Sequence, residues 1–400
     1  MKRHAEVVVV GAGVVGLSVA YHLAVRGRRV LLLDACAPGY GASGGNLGQI
    51  SVMDREPAIQ LAWTNETLSL YRRLEEEEGL DFEANYSGGL LLFCSAEQKE
   101  QGLALMERQR RRGVPIELVE GSALKGIEPH LDTGRLLGAL YSSREGSIMP
   151  LKVVSGLTEA SRRHGVEICA PCRVTGFRVD SGRVKSVVTK KEEIETDCVV
   201  LAAGAWSREV AAFLGMELPV YYHKGTAFVT RPIPPLVRTV VVSGGFLTNR
   251  PLTNRIVGLG VAQHPNGSLI IGQATEPGRD YERDLSVEGV YETVRNFLRY
   301  FPDLGSLEII RSWAANTTFT PDGLPVFGFS PEFGNLFVAS GLKGAFSTAP
   351  AAGNMAATMI CRGGGSALSP AEWNDILQEW KLDPCDLDSI RPNRRLVPHG

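Results

Sequence analysis

A short apolar run near the start of the chain passes directly into a glycine-rich turn. Residues 7–10 are four valines, the composition of a buried parallel strand. Three glycines follow in G-x-G-x-x-G spacing: Gly11, Gly13 and Gly16. Helical composition extends over 17–26, and a second apolar run, Val30–Leu33, ends on Asp34. The pattern predicts a strand, a tight turn, a helix and a second strand that ends in an acidic residue.

Each part of this unit suits a bound dinucleotide. Gly11 permits the tight turn, Gly13 lets the backbone approach a pyrophosphate, and Gly16 allows the helix to pack closely on the strand. The helix N-terminus offers N–H groups to the phosphates, and Asp34 is placed to accept hydrogen bonds from an adenosine ribose. A carboxylate there would repel a 2′-phosphate, which argues against an NADP-type ligand. The unit therefore predicts dinucleotide binding, and the alternative is a glycine-rich corner without a ligand.

The rest of the chain contains further predicted helices and strands. Helical patterns cover 57–79, 96–113, 150–165, 287–301 and 350–360. Apolar runs predict strands over 88–93, 166–168, 174–179, 184–189, 198–201, 220–230, 237–242, 257–263, 268–273 and 336–339. The stretch from 217 to 310 is rich in strands and breaks the alternation of strand and helix, so we expect a separate substrate domain there.

Two further turns of small residues follow predicted strands. Residues 202–207 read AAGAWS after the strand at 198–201, and 340–345 read SGLKGA after the strand at 336–339. A loop of small residues, 42–49, leaves the second strand of the N-terminal unit. A nicotinamide enzyme needs one such corner, whereas a flavin enzyme encloses a longer cofactor and commonly has another. The pattern therefore favours FAD, and an NAD-dependent dehydrogenase is the rival interpretation.

Composition and charge narrow the class of protein. The chain has 400 residues and a formal net charge of −2, so no strong field draws it to nucleic acid or anionic lipid. No apolar run reaches transmembrane length. The start, Met1-Lys2-Arg3, resembles a signal peptide, but no small-residue cleavage site precedes the glycine turn. Seven scattered cysteines fit a reduced cytoplasmic protein.

Two of the cysteines, Cys169 and Cys172, form an isolated CxxC motif. The motif is a redox pair, half of a zinc site, or neither. It has no second CxxC and no thioredoxin-like context, so we expect no metal.

Several motifs together resemble one protein family. They are 7–34, 42–50, 146–150, 199–207, Trp313-Ala314, 320–328 and 339–353. On these residues the chain resembles the D-amino acid oxidase (DAO) superfamily of FAD-dependent oxidoreductases. The resemblance is to its glycine oxidase and sarcosine oxidase branch, which includes D-amino acid dehydrogenases and the β subunits of opine and proline dehydrogenases.

The resemblance implies an α/β fold: a Rossmann-like FAD-binding domain of the glutathione-reductase type, and a second α+β substrate domain built on an antiparallel sheet. The expected FAD domain covers 1–86, 147–216 and 311–380, the substrate domain 87–146 and 217–310, and a tail 381–400. The glycine-rich turns and the resemblance together give these candidate cofactor-binding residues: Gly11, Ala12, Gly13, Val14, Val15, Gly16, Asp34, Ala35, Ala42, Ser43, Leu47, Gly48, Gln49, Val174, Ala203, Gly204, Trp206, Gly341, Leu342, Lys343, Gly344, Ala345 and Phe346.

The chain departs from the family pattern at three positions. Glycine oxidase-like members bind the substrate carboxylate with an arginine where this chain has Thr317. Sarcosine oxidases with covalent FAD carry a cysteine where it has Ala315, and a lysine that some of them use to activate oxygen corresponds to Ile270. We therefore expect non-covalent FAD, and either a substrate carboxylate anchored elsewhere or a substrate without one.

A few side chains are candidates for the chemistry. Lys343 is the candidate catalytic residue, because an ammonium there would stabilise negative charge on reduced flavin; otherwise it is a solvated surface lysine. Gln49, Arg250 and Thr317 are the candidate substrate-binding residues. Further candidate cations are Arg255 and Lys224.

The predicted reaction is hydride transfer to flavin from a carbon that bears an amine, which gives an imine that water hydrolyses. The substrate is an amino acid or secondary amine: a D-amino acid, an N-substituted glycine, or a proline- or opine-like compound. The acceptor is oxygen, a quinone or a partner subunit. The alternative is an FAD-binding β subunit of a heteromeric dehydrogenase, active only with its partners. We expect a homo- or hetero-oligomer in the cytoplasm or at the inner membrane face.

Overall fold

The computed structural model describes residues 3–246 and 255–394. The strands in chain order are β1 (Arg3–Val10), β2 (Val30–Leu33), β3 (Gln49–Ile50), β4 (Gly89–Phe93), β5 (Glu117–Val119), β6 (Gly138–Ser142), β7 (Gly146–Ser147), β8 (Glu167–Cys169), β9 (Val174–Asp180), β10 (Arg183–Thr189), β11 (Glu193–Leu201), β12 (Tyr221–Thr230), β13 (Val240–Ser243), β14 (Ile256–Gln263), β15 (Leu269–Pro277), β16 (Ile309–Phe319), β17 (Val326–Phe329) and β18 (Leu336–Ser340). The helices are α1 (Val14–Val25), α2 (Ala58–Glu78), α3 (Ala96–Arg111), α4 (Ser122–Ile127), α5 (Pro150–Arg163), α6 (Ser207–Ala212), α7 (Val287–Tyr300), α8 (Ala349–Arg362), α9 (Pro370–Trp380) and α10 (Pro384–Asp388).

The N-terminal unit forms the centre of a mostly parallel sheet. Its strands run in the order β17-β18-β11-β1-β2-β8, with β10 paired to β11 and β9 paired to β10. Alternate valines of β1 enter two apolar cores on opposite faces of this sheet, Val7 and Val9 in one and Val8 and Val10 in the other. Burial on both faces is the physical reason for the unbroken apolar run.

Helix α1 packs against α5 and α8 beside this sheet. Its residues Leu17 and Leu23 are fully buried, and burying each such side chain stabilises the fold by roughly 1.5–3 kcal/mol. Small residues let α8 approach closely: a Cβ added to Gly353 would lie 2.5 Å from the Cβ of Ser18. This packing holds the N-terminus of α1 at the carboxyl ends of β1 and β11.

The second sheet has the strand order β16-β12-β15-β14-β13-β4-β6-β5. Its neighbours are antiparallel except for β13 and β4, which are parallel. Helix α7 packs on β12, β14 and β15. The predicted combination of a Rossmann-like sheet with a second, largely antiparallel sheet is confirmed.

The structure also differs from the sequence expectations at several boundaries. Helix α1 begins at Val14 rather than at 17, because the glycine turn passes straight into it. Strands β5 and β6 were not predicted, since they are short and carry no clear alternation. β16 pairs with β12 in the second sheet, so the expected start of an FAD-domain segment at 311 falls inside a strand of the other sheet. The division into domains stays a prediction.

Candidate cofactor and substrate site

Gly11 occupies a position that no larger residue fits. Its φ is +112°, and an added Cβ would lie 2.3 Å from the carbonyl oxygen of Ala202, just after β11. A Cβ on Gly16 would lie 1.8 Å from the carbonyl oxygen of Gly11. The two glycines let β1, β11 and α1 converge, so the first two glycine-rich corners meet at one edge of the sheet.

A cavity of about 620 Å³ opens at this edge. The N-cap residue of α1 is Gly13, which has no side chain to bond the N–H groups of the first turn. The N–H of Val14 donates to the hydroxyl oxygen of Ser43 at 2.9 Å. The first turn therefore presents backbone N–H groups and the positive end of the helix dipole. The predicted cofactor residues that line the cavity are Gly11, Gly13, Val14, Val15, Asp34, Ala35, Ala42, Ser43, Val174, Ala203, Gly204, Trp206, Gly341, Leu342 and Ala345.

Asp34 lies in the cavity wall at the end of β2. One carboxylate oxygen accepts from the N–H of Ala12 at 2.7 Å and the other from the N–H of Cys36 at 2.8 Å. Burial raises the pKa of Asp34 above its ordinary value, and these hydrogen bonds and the charge of Arg173 oppose the rise. Arg173 also lines the cavity. Arg173 is not among the predicted residues, because a single arginine after a CxxC belongs to no recognisable pattern.

The other predicted cofactor residues lie outside this wall. They are Ala12, Gly16, Leu47, Gly48, Gln49, Lys343, Gly344 and Phe346. Phe346 is buried in the core, and its carbonyl accepts from the hydroxyl of Tyr71 at 2.9 Å. A Cβ on Gly344 would lie 2.6 Å from Nη2 of Arg55, so glycine gives that guanidinium its space.

One face of the second sheet meets the loop that leads into β3. A Cβ on Gly272 in β15 would lie 2.9 Å from the side chain of Leu47, and one on Gly260 in β14 would lie 3.0 Å from the side chain of Gln49. The Nε2 of Gln49 is buried and has no hydrogen-bond partner among the described residues. Glycines in β14 and β15 therefore make room for the side chains of this segment, and the buried amide of Gln49 has a donor left for a ligand.

Alternate residues of β16 face the same loop. The indole N–H of Trp313 donates to the carbonyl of Gly45 at 2.8 Å, and a Cβ on Gly45 would meet the Cβ of Ala315 at 2.4 Å. Thr317 and Phe319 follow at the same spacing, so they lie on this face too. Thr317, predicted to bind substrate, is thus on the sheet surface that faces this loop, and its neighbour Thr318 lines the cavity.

Lys343 extends from the loop after β18 toward this surface. Its Nζ lies 5.7 Å from the centre of the Phe319 ring. Burial lowers the pKa of the ammonium, the charge of Asp54 opposes this, and that of Arg55 adds to it. No carboxylate within residues 3–246 and 255–394 forms an ion pair with this ammonium within 4.0 Å. The backbone carbonyl of Lys343 accepts from Nη1 of Arg55 at 3.2 Å.

The other candidate cations have different surroundings. Lys224 lies 3.3 Å from Oε1 of Glu276, and Arg255 lies 3.1 Å from Oε2 of the same carboxylate. Arg255 also contacts Glu292 at 3.3 Å. Both cations are therefore neutralised by acids of the chain. Arg250 lies outside the described residues.

His223, which carried no motif in the sequence, lies beside Lys343. It is paired with Thr317 in the register of β12 and β16, and its ring centre is 4.2 Å from that of Phe319. Burial, with the charge of Lys343, lowers the pKa of His223 to about 4. Only strand register brings it here, so the sequence signal was no more than a histidine in a predicted strand.

The two cysteines of the CxxC motif flank the backbone of Asp34. The N–H of Asp34 donates to the carbonyl of Cys169 at 3.1 Å, and the N–H of Cys172 donates to the carbonyl of Asp34 at 2.6 Å. Both thiols are free, and Cys172 lines the cavity. These bonds give the segment a structural role at the end of β2.

These features define the class of protein: a dinucleotide-binding protein whose second sheet borders the cofactor site. The residues present fit FAD. The glycines of the turn after β1 let a ligand approach the backbone, the N-terminus of α1 suits the pyrophosphate, and Asp34 suits the ribose. The buried amide of Gln49, outside the cavity wall, has a donor left for a ligand.

Comparison with known proteins gives the family. The DAO family model, "FAD dependent oxidoreductase", matches residues 6–359. A glycine oxidase from Geobacillus kaustophilus (strain HTA426) is 29% identical over 371 residues, which cover 90% of this chain and 94% of that protein. A sarcosine oxidase subunit beta from Rhizobium meliloti (strain 1021) is 28% identical over 375 residues, covering 90% and 86%. The crystal structure of L-proline dehydrogenase from P. horikoshii has a TM-score of 0.82 and 27% identity, covering 96% of this chain and 100% of that one.

The chain belongs to the DAO family of FAD-dependent oxidoreductases. It is an enzyme of the amine and amino acid oxidase or dehydrogenase type. The predicted family and the predicted cofactor, FAD, are confirmed. None of the helices in the described ranges combines the length and the hydropathy that crossing a bilayer needs. The cytoplasmic location stays a prediction.

Proposed function

We propose that this enzyme oxidises the C–N bond of an amino acid or N-substituted amino acid, and that Lys343 binds the substrate carboxylate. The supporting observation is the state of its ammonium, which is half-buried beside Phe319 and has no carboxylate partner in the described part of the chain. Burial makes this charge costly, and Asp54 acts on it only from beyond ion-pair distance, so the site favours a ligand that brings negative charge to the ammonium.

The neighbouring positions support the same choice. Thr317 cannot form the bidentate, charge-assisted pair that an arginine gives a carboxylate. Lys224 and Arg255 share the carboxylate of Glu276. Of these described candidates, Lys343 is the cation whose charge is left for a substrate.

The chain's own task in the reaction is to hold and orient the substrate. FAD, when bound, accepts the hydride from the carbon that bears the nitrogen. An ion pair with Lys343 would fix the carboxylate end, and the apolar side chains of Leu47 and Phe319 would exclude water. Loss of a hydride from carbon and a proton from nitrogen leaves an imine, which water converts to a carbonyl compound and an amine or ammonia. No catalytic base is needed if the amine binds in its neutral form.

Replacing Lys343 by Met tests this proposal, because K343M removes the charge and keeps much of the side-chain volume. The substrate is found first, by screening D-amino acids, N-methyl amino acids, prolines and opines with oxygen and a dye acceptor in parallel. For the best amino acid we expect kcat/KM to fall at least about tenfold, equivalent to roughly 1.4 kcal/mol of transition-state stabilisation.

K224M is the matched control. It removes the same charge from β12, and Glu276 keeps Arg255 as its partner, so we expect kcat/KM to change by less than about twofold. If K343M has no larger effect, and amines without a carboxylate are oxidised as well as amino acids, the anchor proposal is wrong and the enzyme is an amine oxidoreductase.

A second candidate is the FAD-binding β subunit of a heteromeric dehydrogenase. The similarity to a sarcosine oxidase subunit beta favours it, and so does an apolar surface on α7, where Val287 is 80% and Tyr291 is 62% exposed. These residues are one helical turn apart and lie side by side. Substrate oxidation by the purified chain alone, with an artificial acceptor and with oxygen excluded, would contradict a strict need for partner subunits.

A further inference from the structure

An uncharged polar patch lies beside Lys343 on the second sheet. We call the side chains of His223, Gln273, Thr275 and Thr317 the neutral patch. Pairing places His223 opposite Thr317, and Gly225 opposite Thr275. Directly opposed residues of antiparallel strands point to the same face, so His223, Thr317 and Thr275 share the face that meets the loop before β3. Gln273 lies in a bulge without a paired residue, and its amide reaches this face at Gly225.

The centre of the neutral patch holds no side chain. It lies over Gly225, where an added Cβ would find the amide atoms of Gln273 as its nearest neighbours, at 3.6–3.7 Å. That amide donates to Oγ1 of Thr275 at 2.8 Å. The surrounding groups are therefore donors and acceptors without charge, arranged around a position that carries no side chain of its own.

His223 points to an occupant. Its Nδ1 is buried and has no hydrogen-bond partner among the described residues. The nearby charge of Lys343 and burial keep the imidazole neutral. A neutral imidazole offers one donor and one acceptor, and the hydroxyl of Thr317 offers both as well. This combination suits a hydroxyl or carboxamide group.

We propose that the neutral patch binds an uncharged hydrogen-bonding group of the substrate, a hydroxyl or a carboxamide, while Lys343 binds the carboxylate. The inference rests on the proposed function and narrows its substrate class. A second substrate carboxylate would need a second cation, and Lys224, next to His223 on the opposite face of β12, is paired with Glu276. Hydroxylated amino acids are therefore favoured over dicarboxylates such as opines.

Ligand pairs that differ by one hydroxyl test the proposal. The FAD-loaded enzyme is titrated with butanoate and 4-hydroxybutanoate, and binding is followed by the change in flavin absorbance, which needs no turnover. In parallel, kcat/KM is compared for proline and 4-hydroxyproline, and for alanine and serine, in both enantiomers. We expect the wild type to favour the hydroxylated member by at least about fivefold in binding and in one substrate pair.

Two variants locate the effect. H223F keeps an aromatic ring against Phe319 and removes the ring nitrogens, and T317V removes the hydroxyl with little change of shape. In each variant the ratio of affinities for the hydroxylated and the non-hydroxylated ligand should fall toward one. T226V, the same change on the opposite face of β12, is the matched control and should keep the wild-type ratio. Flavin content and thermal unfolding establish that each variant is folded.

The outcomes separate this inference from the carboxylate anchor. K343M should weaken the binding of both acids alike and keep the ratio of their dissociation constants. If K343M leaves the binding of both acids unchanged, that result speaks only against the carboxylate anchor. Equal dissociation constants for the two acids in the wild type, or an unchanged ratio in H223F and T317V, would overturn the neutral patch as a substrate subsite.

Discussion

Replacing Glu145 by Gln should stabilise the protein above neutral pH. Glu145 follows β6 and is 3% exposed, and its carboxylate accepts from the N–H groups of Val52 and Met53, both at 2.8 Å. These bonds hold the turn before Arg55, whose guanidinium contacts the carbonyl of Lys343. An amide oxygen can accept the same two hydrogen bonds, so E145Q keeps the turn and removes the charge.

The magnitude follows from the pKa of Glu145. Burial, with the nearby charge of Asp54, raises it from an ordinary 4.5 to about 7 in the folded protein. At about 1.4 kcal/mol for each pKa unit, the difference corresponds to about 3 kcal/mol. The folded protein binds this proton more tightly than the unfolded chain, so its stabilisation is complete below pH 4.5 and is lost as the pH rises through 7.

The assay is urea unfolding of FAD-loaded wild type and E145Q from about pH 5 to about pH 8. The free energy of unfolding of E145Q, relative to wild type, should rise across this range by about 2–3 kcal/mol. Comparing the two proteins cancels the titration of groups that they share. E107Q, at an exposed position of α3, is the control for the chemical change. A difference between E145Q and wild type that stays constant with pH would refute the reasoning.

Two further predictions concern the cofactor. Asp34→Ala should weaken FAD binding by about 1.5–3 kcal/mol, roughly 10- to 150-fold, because charge-assisted hydrogen bonds at the ribose end are lost; an FAD affinity equal to that of wild type by titration of the apoprotein would show that the carboxylate does not bind the ribose. Acid precipitation should release yellow flavin into the supernatant, because Ala315 cannot link FAD covalently; flavin retained on the precipitated chain would contradict non-covalent binding.

The N-terminal unit could be derived from the sequence because its signals are local. The valines at 7–10, the spacing of Gly11, Gly13 and Gly16, and the terminal Asp34 lie within one short stretch. Each constrains the backbone of its own neighbourhood: a strand buried on both faces, a turn with positive φ, and a helix packed closely on it. The same logic at 202–207 and 340–345 predicted the other walls of the cavity, which the structure brings together.

The substrate side depends on tertiary structure because its residues meet through strand register. Nothing in the sequence places His223 opposite Thr317, since that pairing depends on how β12 and β16 align. Likewise, Lys224 and Lys343 are both isolated lysines in the sequence, and only the fold gives one of them Glu276 and leaves the other beside Phe319. Local pattern thus predicted the dinucleotide site and favoured FAD, and the family resemblance of the motifs supplied the expected chemistry. The charge and hydrogen bonding of the substrate pocket were decided by contacts between segments far apart in the chain, whose energies depend on burial that a local pattern does not contain.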